Sequence, residues 1–513
     1  MAVLLNAGEI LSALSRLRPN ERAASDLERS LTYRQWNERA CRLANALTGL
    51  GLSKGDRVAI LAYNRLEWAE IYCAAAKAGL IAVPINFRLT GPEVAYILED
   101  SGVSAFLVED ALADLAEEIR SGLDLADDKY VLIGGEAPGY VNYETLLLTG
   151  SDREPDRSVQ PEAPWCLMYT SGTTGNPKGA IRNHRGMSML ALMTGVEFRF
   201  HRNDNALLVM PMCHANSLNF FTSALHCGAA ITIFSRASFD AELCLKTLGQ
   251  GVTFSSLVPT HYTMMLDVPH HGTVRSVEKL LVSSATAFPE TKRRIIEMFP
   301  NSGLFELYGS TEAGWVTMLH PDEQFDHLGT VGREVVGSAP IRLLDDDGND
   351  VPDGEPGELF SCSPYQFEGY WNLPDKTAEA FRGDYLTVGD VALRDADGFI
   401  RLIDRKKNLI VSGGENIYPA EVEQVLIGHP DIREVAVIGR RDEKWSERVV
   451  ACVSLEPGAA RESEALMAWA RERLAGYKRP REIVFLDPDQ YPRTATGKIQ
   501  HARLRAMLDR ATK

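Results

Sequence analysis

Between Leu31 and about Glu109, apolar positions alternate between helical spacing and short β-rich runs. "SLTYRQWNERACRLANALTGLGL" has the 3.6-residue periodicity of an amphipathic helix and ends in glycines suited to a C-cap. "DRVAILAY" then reads as a strand, "EWAEIYCAAAKAGL" as a helix, "IAVPIN" as a strand and "VSAFLVE" as another strand. Strands separated by helices of this length predict parallel β-structure with crossover helices. The same rhythm returns from Asn205 to Leu307, where "NALLVMP", "AAITIFS", "TFSSLVP", "KLLVSSA" and "GLFELYG" read as strands.

The pattern changes after Val331. "APIRLLDDDGNDVPDGEPGELFSC" sets Gly, Pro and Asp between short β runs and predicts antiparallel hairpins. Near Asp404 a third pattern starts: "AEVEQVLIGHP" is helical, "EVAVIGR" and "RVVACVSLE" are strands, "ESEALMAWARERLAG" is a helix and "REIVFLD" a strand. That is a small α+β unit of domain size, so the chain is divided into residues 1–404 and 405–513. The class is α/β, with no solenoid-period repeat and no low-complexity tract.

Composition narrows the reading. A chain of 513 residues exceeds what one core supports. Its 45% hydrophobic and 24% charged residues are those of a soluble globular protein. A net charge of −16 argues against a nucleic-acid surface. The eight cysteines are scattered without a CxxC pair, as expected of reduced thiols rather than a disulfide framework or zinc site. The N-terminal segment lacks a basic region and a cleavage pattern, and no apolar run reaches the roughly 20 residues that span a bilayer. The expectation is a cytoplasmic protein without stable membrane insertion.

The clearest chemical signal is "YTSGTTGNPKGA", Tyr169 to Ala180. Gly172, Gly175 and Gly179, the hydroxyls of Thr170, Ser171, Thr173 and Thr174, and Lys178 follow the apolar run "WCLMY". Glycines let backbone N–H groups converge on an anion, hydroxyls add donors, and lysine adds charge. A generic loop of this composition is as often a plain surface turn. It is not a Walker loop, because no Lys-Ser/Thr step opens a helix. The full string resembles the phosphate-loop signature of the adenylate-forming superfamily, which includes acyl- and aryl-CoA synthetases, firefly-type luciferases and peptide-synthetase adenylation domains. "YGSTEAG" (Tyr308–Gly314), "YLTVGD" (Tyr385–Asp390), "RLIDRKKNLIVSGGENIYPAEVE" (Arg401–Glu423) and "PRTATGKI" (Pro492–Ile499) follow in that family's order.

The resemblance implies a large N-terminal domain of parallel, layered αβ subdomains with a small distorted β-barrel, then a smaller, mobile α+β C-terminal domain. It implies ATP/AMP, Mg²⁺ and coenzyme A as cofactors. The loop would hold the β- and γ-phosphates, with Lys178 on the leaving pyrophosphate. Tyr308 would pack on adenine, Thr311 contact the α-phosphate and Glu312 hold Mg²⁺, a cation that needs few protein carboxylates beside phosphate oxygens. Asp390 and Arg405 would hold the ribose. Lys498 would reach the carboxylate and α-phosphate during adenylation, offsetting the repulsion between two anions. Lys407 would be the hinge of a domain rotation, and Gly413 and Gly414 would line the pantetheine tunnel. His214 would stand beside the acyl carboxylate, with Ala215, Asn216 and Ser217 lining the acyl pocket. "SSATAF" departs from the family's usual Gly-Ala-Pro-like run and adds bulk at Ser284 and Phe288. Trp315 is placed to close one end of the pocket, which favours a small or medium acid. Taken singly, each of these residues has a plainer reading as a surface charge, cap or packed side chain.

Among family members, an acyl-CoA ligase acting on a fatty, aryl or cyclic acid fits best, because "SGGENIYP" has the CoA-ligase form and the chain ends soon after Lys498. A peptide-synthetase domain would need an acid near Ala215–Ser217 for an amino group, and none is present. A stand-alone adenylating enzyme serving a carrier protein, or a luciferase-like oxygenase, shares the adenylation motifs. A non-catalytic sensor would be expected to lack Lys498 or Glu312. Arg440, Arg441, Lys444, Arg448, Lys478 and Arg479 are candidates for a CoA-phosphate patch, with ordinary solvated charge the plainer reading of most. A homodimer is left open.

Overall fold

The computed structural model describes residues 6–156, 158–170, 176–269, 272–283, 287, 289–412, 415–442, 444–493 and 497–511. By its own contacts the chain forms two units. One takes Met1–Thr170, Pro177–Pro340 and Ser361–Leu386; the other takes Ile341–Phe360 and Thr387–Lys513.

Among the described residues the first unit holds a seven-stranded and a nine-stranded sheet. In the seven-stranded sheet, Arg57–Leu61, Ile81–Ile85, Val103–Glu109 and Tyr130–Ile133 run parallel, as the alternating pattern predicts. In the nine-stranded sheet, Asn205–Leu208, Ala230–Ile233, Phe254–Leu257, Lys279–Ser283 and Gly303–Ser310 are parallel, and Gly314–Leu319 returns antiparallel. The strand Arg22–Ser25 joins it by pairing with Ala230–Ile233 about 200 residues away, a partnership that no local pattern signals.

Helix ends follow the expected chemistry. Tyr33–Gly49 opens on a capping box in which Thr32 Oγ1 accepts from Gln35 N–H and Gln35 Oε1 accepts from Thr32 N–H. Glu67–Ala78 ends on left-handed Gly79. The latter helix is buried all round, so its charges are paired: Glu67 with Arg29 and Arg65, Glu70 with Arg39 and the Tyr143 hydroxyl, and Lys77 with Glu154. Trp36, Trp68, Tyr72, Trp165 and Phe221 form the aromatic centre of the adjoining core.

The second unit holds the antiparallel sheet expected after Val331, built from Arg342–Leu344, Gly357–Phe360, Asp390–Arg394 and Ile400–Arg405. It also holds an α+β layer in which Ile432–Asp442 and Ser446–Leu455 form a long hairpin joined by Glu482–Phe485. Helices Pro419–Ile427 and Ser463–Arg473 contribute Val422, Leu426, Leu466 and Ala470 to its core. The terminal helix His501–Ala511 contributes Leu504 and Leu508 to a second cluster. All eight cysteines are free. No helix among the described residues is long and apolar enough to cross a membrane.

Candidate active site

The glycine-rich loop joins two antiparallel strands, Pro164–Thr170 and Lys178–Asn183, with Thr170 in register with Lys178. It therefore closes a hairpin rather than leading into a helix, and Lys178 leaves it as the first residue of the returning strand. Ser171, Gly172, Thr173, Thr174 and Gly175 lie outside the described residues, as do Ser284, Phe288, Gly413 and Gly414.

"YGSTEAG" forms the reversal between strands Gly303–Ser310 and Gly314–Leu319. The Ser310 hydroxyl accepts from Ala313 N–H and tightens the turn. Gly309 has no room for a side chain, because a Cβ there would lie 2.2 Å from the Gly314 carbonyl oxygen. The turn brings Glu312 to the loop strand. Its Oε1 accepts from the Tyr370 hydroxyl at 2.8 Å and lies 3.4 Å from Thr170 Oγ1. The buried Arg182 guanidinium donates to the Thr311 carbonyl at 2.7 Å and lies 3.4 Å from that of Glu312. Lys178 Nζ stands over the Tyr370 ring at 3.8 Å. Desolvation lowers the Lys178 pKa, and the charge of Glu312 works against that shift. Tyr308 is part-buried, in register with Thr317. Sequence reading missed Arg182 and Tyr370, neither of which falls in a motif with a chemical signature.

A second group collects at the carboxyl ends of neighbouring parallel strands, where open α/β sheets place their ligands. His214 precedes the helix Ala215–His226 and is part-buried, with its pKa lowered to about 4 by desolvation first and the Arg88 charge second. It is neutral at neutral pH. Ala215 is part-buried. Asn216 Nδ2 donates to Ser256 Oγ and Ser283 Oγ, both at 3.0 Å, and so ties two strand ends together. Ser217 is buried, and its hydroxyl donates to the Met210 carbonyl at 2.6 Å. Trp315 is buried, donates to Thr194 Oγ1 at 2.8 Å and packs 5.4 Å from Phe220.

The second unit assembles its own group. Asp390 and Arg405 are direct partners across adjacent strands, and Arg405 Nε donates to Asp390 Oδ1 at 2.9 Å. Lys498, an exposed residue, lies within electrostatic reach of both. Its pKa is lowered, by desolvation first and by the Arg405 charge next, while Asp390, Asp404 and Glu423 oppose the shift. Lys407 is exposed in the short turn Lys406–Asn408. Beneath it Asp404 accepts from the backbone N–H groups of Arg405 and Ala420 and from Asn408 Nδ2. Three of the six suggested patch residues carry acidic partners: Arg440 pairs with Asp509 and Glu482, Arg448 with Glu482, and Lys478 with Glu421.

These three groups have the residue types needed for nucleotide phosphates, a hard cation and an anionic reaction centre. Residues 13–371 match the AMP-binding enzyme family, and residues 421–498 match the AMP-binding enzyme C-terminal domain. The chain belongs to the adenylate-forming acyl-CoA synthetase family. It is 34% identical over 503 residues to an indoleacetate–CoA ligase of Aromatoleum aromaticum, covering 97% of each chain. It is likewise 34% identical over 497 residues to a feruloyl-CoA synthase of an Amycolatopsis species, covering 96% of each. Among solved structures it resembles an anthranilate CoA ligase in complex with anthranoyl-AMP, with a TM-score of 0.91, 29% identity and coverage of 100% and 99% of the two chains. Members of the family are AMP-forming acid–thiol ligases, and this chain shares their mixed α/β fold with a large N-terminal and a small C-terminal domain.

Proposed function

We propose that this acyl-CoA synthetase activates a carboxylic acid with ATP to an acyl-adenylate, releasing pyrophosphate, and then passes the acyl group to CoA, releasing AMP. In the first step a carboxylate oxygen attacks the α-phosphorus and the bond to pyrophosphate breaks; in the second, the CoA thiolate attacks the acyl carbon and AMP leaves. The observation that carries the reading is the meeting of Glu312, Thr170 and Lys178 at the strand ends, from positions up to 142 residues apart.

Within this reading, Thr170, the loop residues 171–175 and Lys178 hold the ATP tail. Tyr308 and Thr311 hold adenine and the α-phosphate, and Asp390 and Arg405 hold the ribose. A buried carboxylate already anchored through one oxygen suits Mg²⁺, which takes one or two carboxylates and completes its shell with phosphate oxygens. Bound there by Glu312, the cation would offset phosphate charge. Lys498 serves the adenylation step, where its charge offsets that of the reacting anions. Neutral His214 flanks the acyl carboxylate without adding charge. Residues 1–404 form the adenylating part and 405–513 the mobile part, with Lys407 at the hinge and Gly413 and Gly414 along the thiol path.

The substrate is a fatty or an aryl or cyclic acid. The relatives' indoleacetate, ferulate and anthranilate, together with the Trp315–Phe220 wall, favour the second class. Eight free thiols suit the cytoplasm. A homodimer fits the reading but is not required by it. The direct test is Lys498→Ala. Acid-dependent ATP–pyrophosphate exchange should fall by at least about 100-fold with the melting temperature unchanged; unchanged exchange would contradict the assignment.

A further inference from the structure

Glu312 is fixed from three sides, and one of the fixing groups has no part in the reading above. The segment Phe367–Trp371 runs between the turn that carries Glu312 and the strand that follows the glycine-rich loop. On one side Phe367 N–H donates to the Glu312 carbonyl at 2.7 Å. On the other, Ile181 N–H donates to the Gly369 carbonyl at 2.9 Å, Trp371 N–H donates to that of Gly179 at 2.7 Å, and Tyr370 bridges Ala180 in antiparallel register. Tyr370 N–H donates to Thr377 Oγ1, and the ring packs edge-on against Phe367 at 4.8 Å. The backbone of Tyr370 is therefore tied to both halves of the ATP-tail site before its side chain is considered.

That side chain then makes two contacts with chemical content. Its hydroxyl donates to Glu312 Oε1 at 2.8 Å, and its ring face lies 3.8 Å from Lys178 Nζ. Tyr370 is only 7% exposed, so both contacts are shielded from water. A hydroxyl held on one carboxylate oxygen fixes the plane of the group and leaves the second oxygen for a cation. Partners of this kind typically account for 10- to 100-fold in metal affinity. The ring also gives the lysine an electron-rich face to rest on while no phosphate is bound.

We infer that Tyr370 is a positioning residue of the ATP–metal site, orienting the Glu312 carboxylate through its hydroxyl and holding Lys178 on its ring. The inference rests on the assignment of Glu312 to Mg²⁺. Tyr370→Phe separates the two contacts, because it keeps the ring under Lys178 and removes only the bond to Glu312. Arg182 is a poorer probe: it is fully buried with one guanidinium nitrogen unpartnered among the described residues, and its loss would disturb folding as well as the turn.

The test measures Mn²⁺–ATP binding by electron paramagnetic resonance on the full chain, beside the Mg²⁺ dependence of ATP–pyrophosphate exchange, for wild type, Tyr370→Phe and Glu312→Gln. The melting temperature of each protein is recorded. Tyr370→Phe should weaken Mn²⁺–ATP binding by about 10-fold and raise the half-saturating Mg²⁺ by a similar factor. Exchange at saturating Mg²⁺ should return to within about 3-fold of wild type, and the melting temperature should not change. Glu312→Gln should weaken binding at least as much, with no recovery. If Glu312→Gln weakens binding and Tyr370→Phe leaves it within 2-fold, the positioning role is overturned and the ATP-site reading survives. If Glu312→Gln leaves metal binding unchanged, the assignment of Glu312 fails and the inference about Tyr370 with it.

Discussion

His184 opens the helix that follows the loop hairpin; it is 3% exposed, and its ring is stacked on Trp165. Neither ring nitrogen has a hydrogen-bond partner among the described residues. Burial alone moves its pKa from 6.5 to about 4, since no charged group contributes. The unfolded chain therefore binds the proton more tightly than the folded one, and stability falls with pH below 6.5. The gap corresponds to about 3 kcal/mol at the limit, and at pH 5 to about 2 kcal/mol. His184→Leu removes this titration. Whatever the change does to packing is the same at pH 7 and pH 5, so it cancels when the two pH values are compared. Urea unfolding of wild type and variant at both pH values, followed by tryptophan fluorescence, should show the variant losing about 2 kcal/mol less than wild type on acidification. Equal losses in the two proteins would refute the argument that burial holds this ring neutral.

Two further outcomes follow, the first from the geometry and the second from the proposed hinge. Gly309→Ala places a Cβ 2.2 Å from the Gly314 carbonyl, a backbone atom that cannot swing away, so the turn must open; thermal denaturation should show a loss of about 2 kcal/mol or more, and a melting temperature equal to wild type would refute the steric argument. Lys407→Pro should keep ATP–pyrophosphate exchange and lose CoA-dependent thioester formation, whereas equal loss of both half-reactions would remove Lys407 from the hinge.

Local patterning carried the reading of the fold a long way. The central strands of both large sheets are short apolar runs bounded by turn residues, and the helix Glu67–Ala78 ends where Gly79 allows a left-handed turn. The pairing of Arg22–Ser25 with Ala230–Ile233 was invisible because periodicity records which face is buried and says nothing about a partner 200 residues distant. The antiparallel return at Lys178–Asn183 was missed for a similar reason, since the loop's composition drew attention to phosphate and away from the strand behind it.

For the site, motifs named the residues that would touch ligand, while the groups fixing them went unread. Arg182 and Tyr370 act through backbone carbonyls and a carboxylate contributed by distant segments, which no spacing rule encodes. The acids that pair with Lys478, Arg448 and Arg440, namely Glu421, Glu482 and Asp509, are remote in sequence and went unread.

The central claim is that the enzyme cleaves ATP between the α- and β-phosphates to make an acyl-adenylate before CoA is engaged. Incubation of α-labelled ATP with a panel of aryl and aliphatic acids, with and without CoA, tests it most directly. Without CoA the label should appear in an enzyme-held acyl-AMP with one pyrophosphate released; on adding CoA it should leave as AMP in equal amount to the acyl-CoA formed. Appearance of the label as ADP, or AMP release that no acid stimulates, would contradict the account.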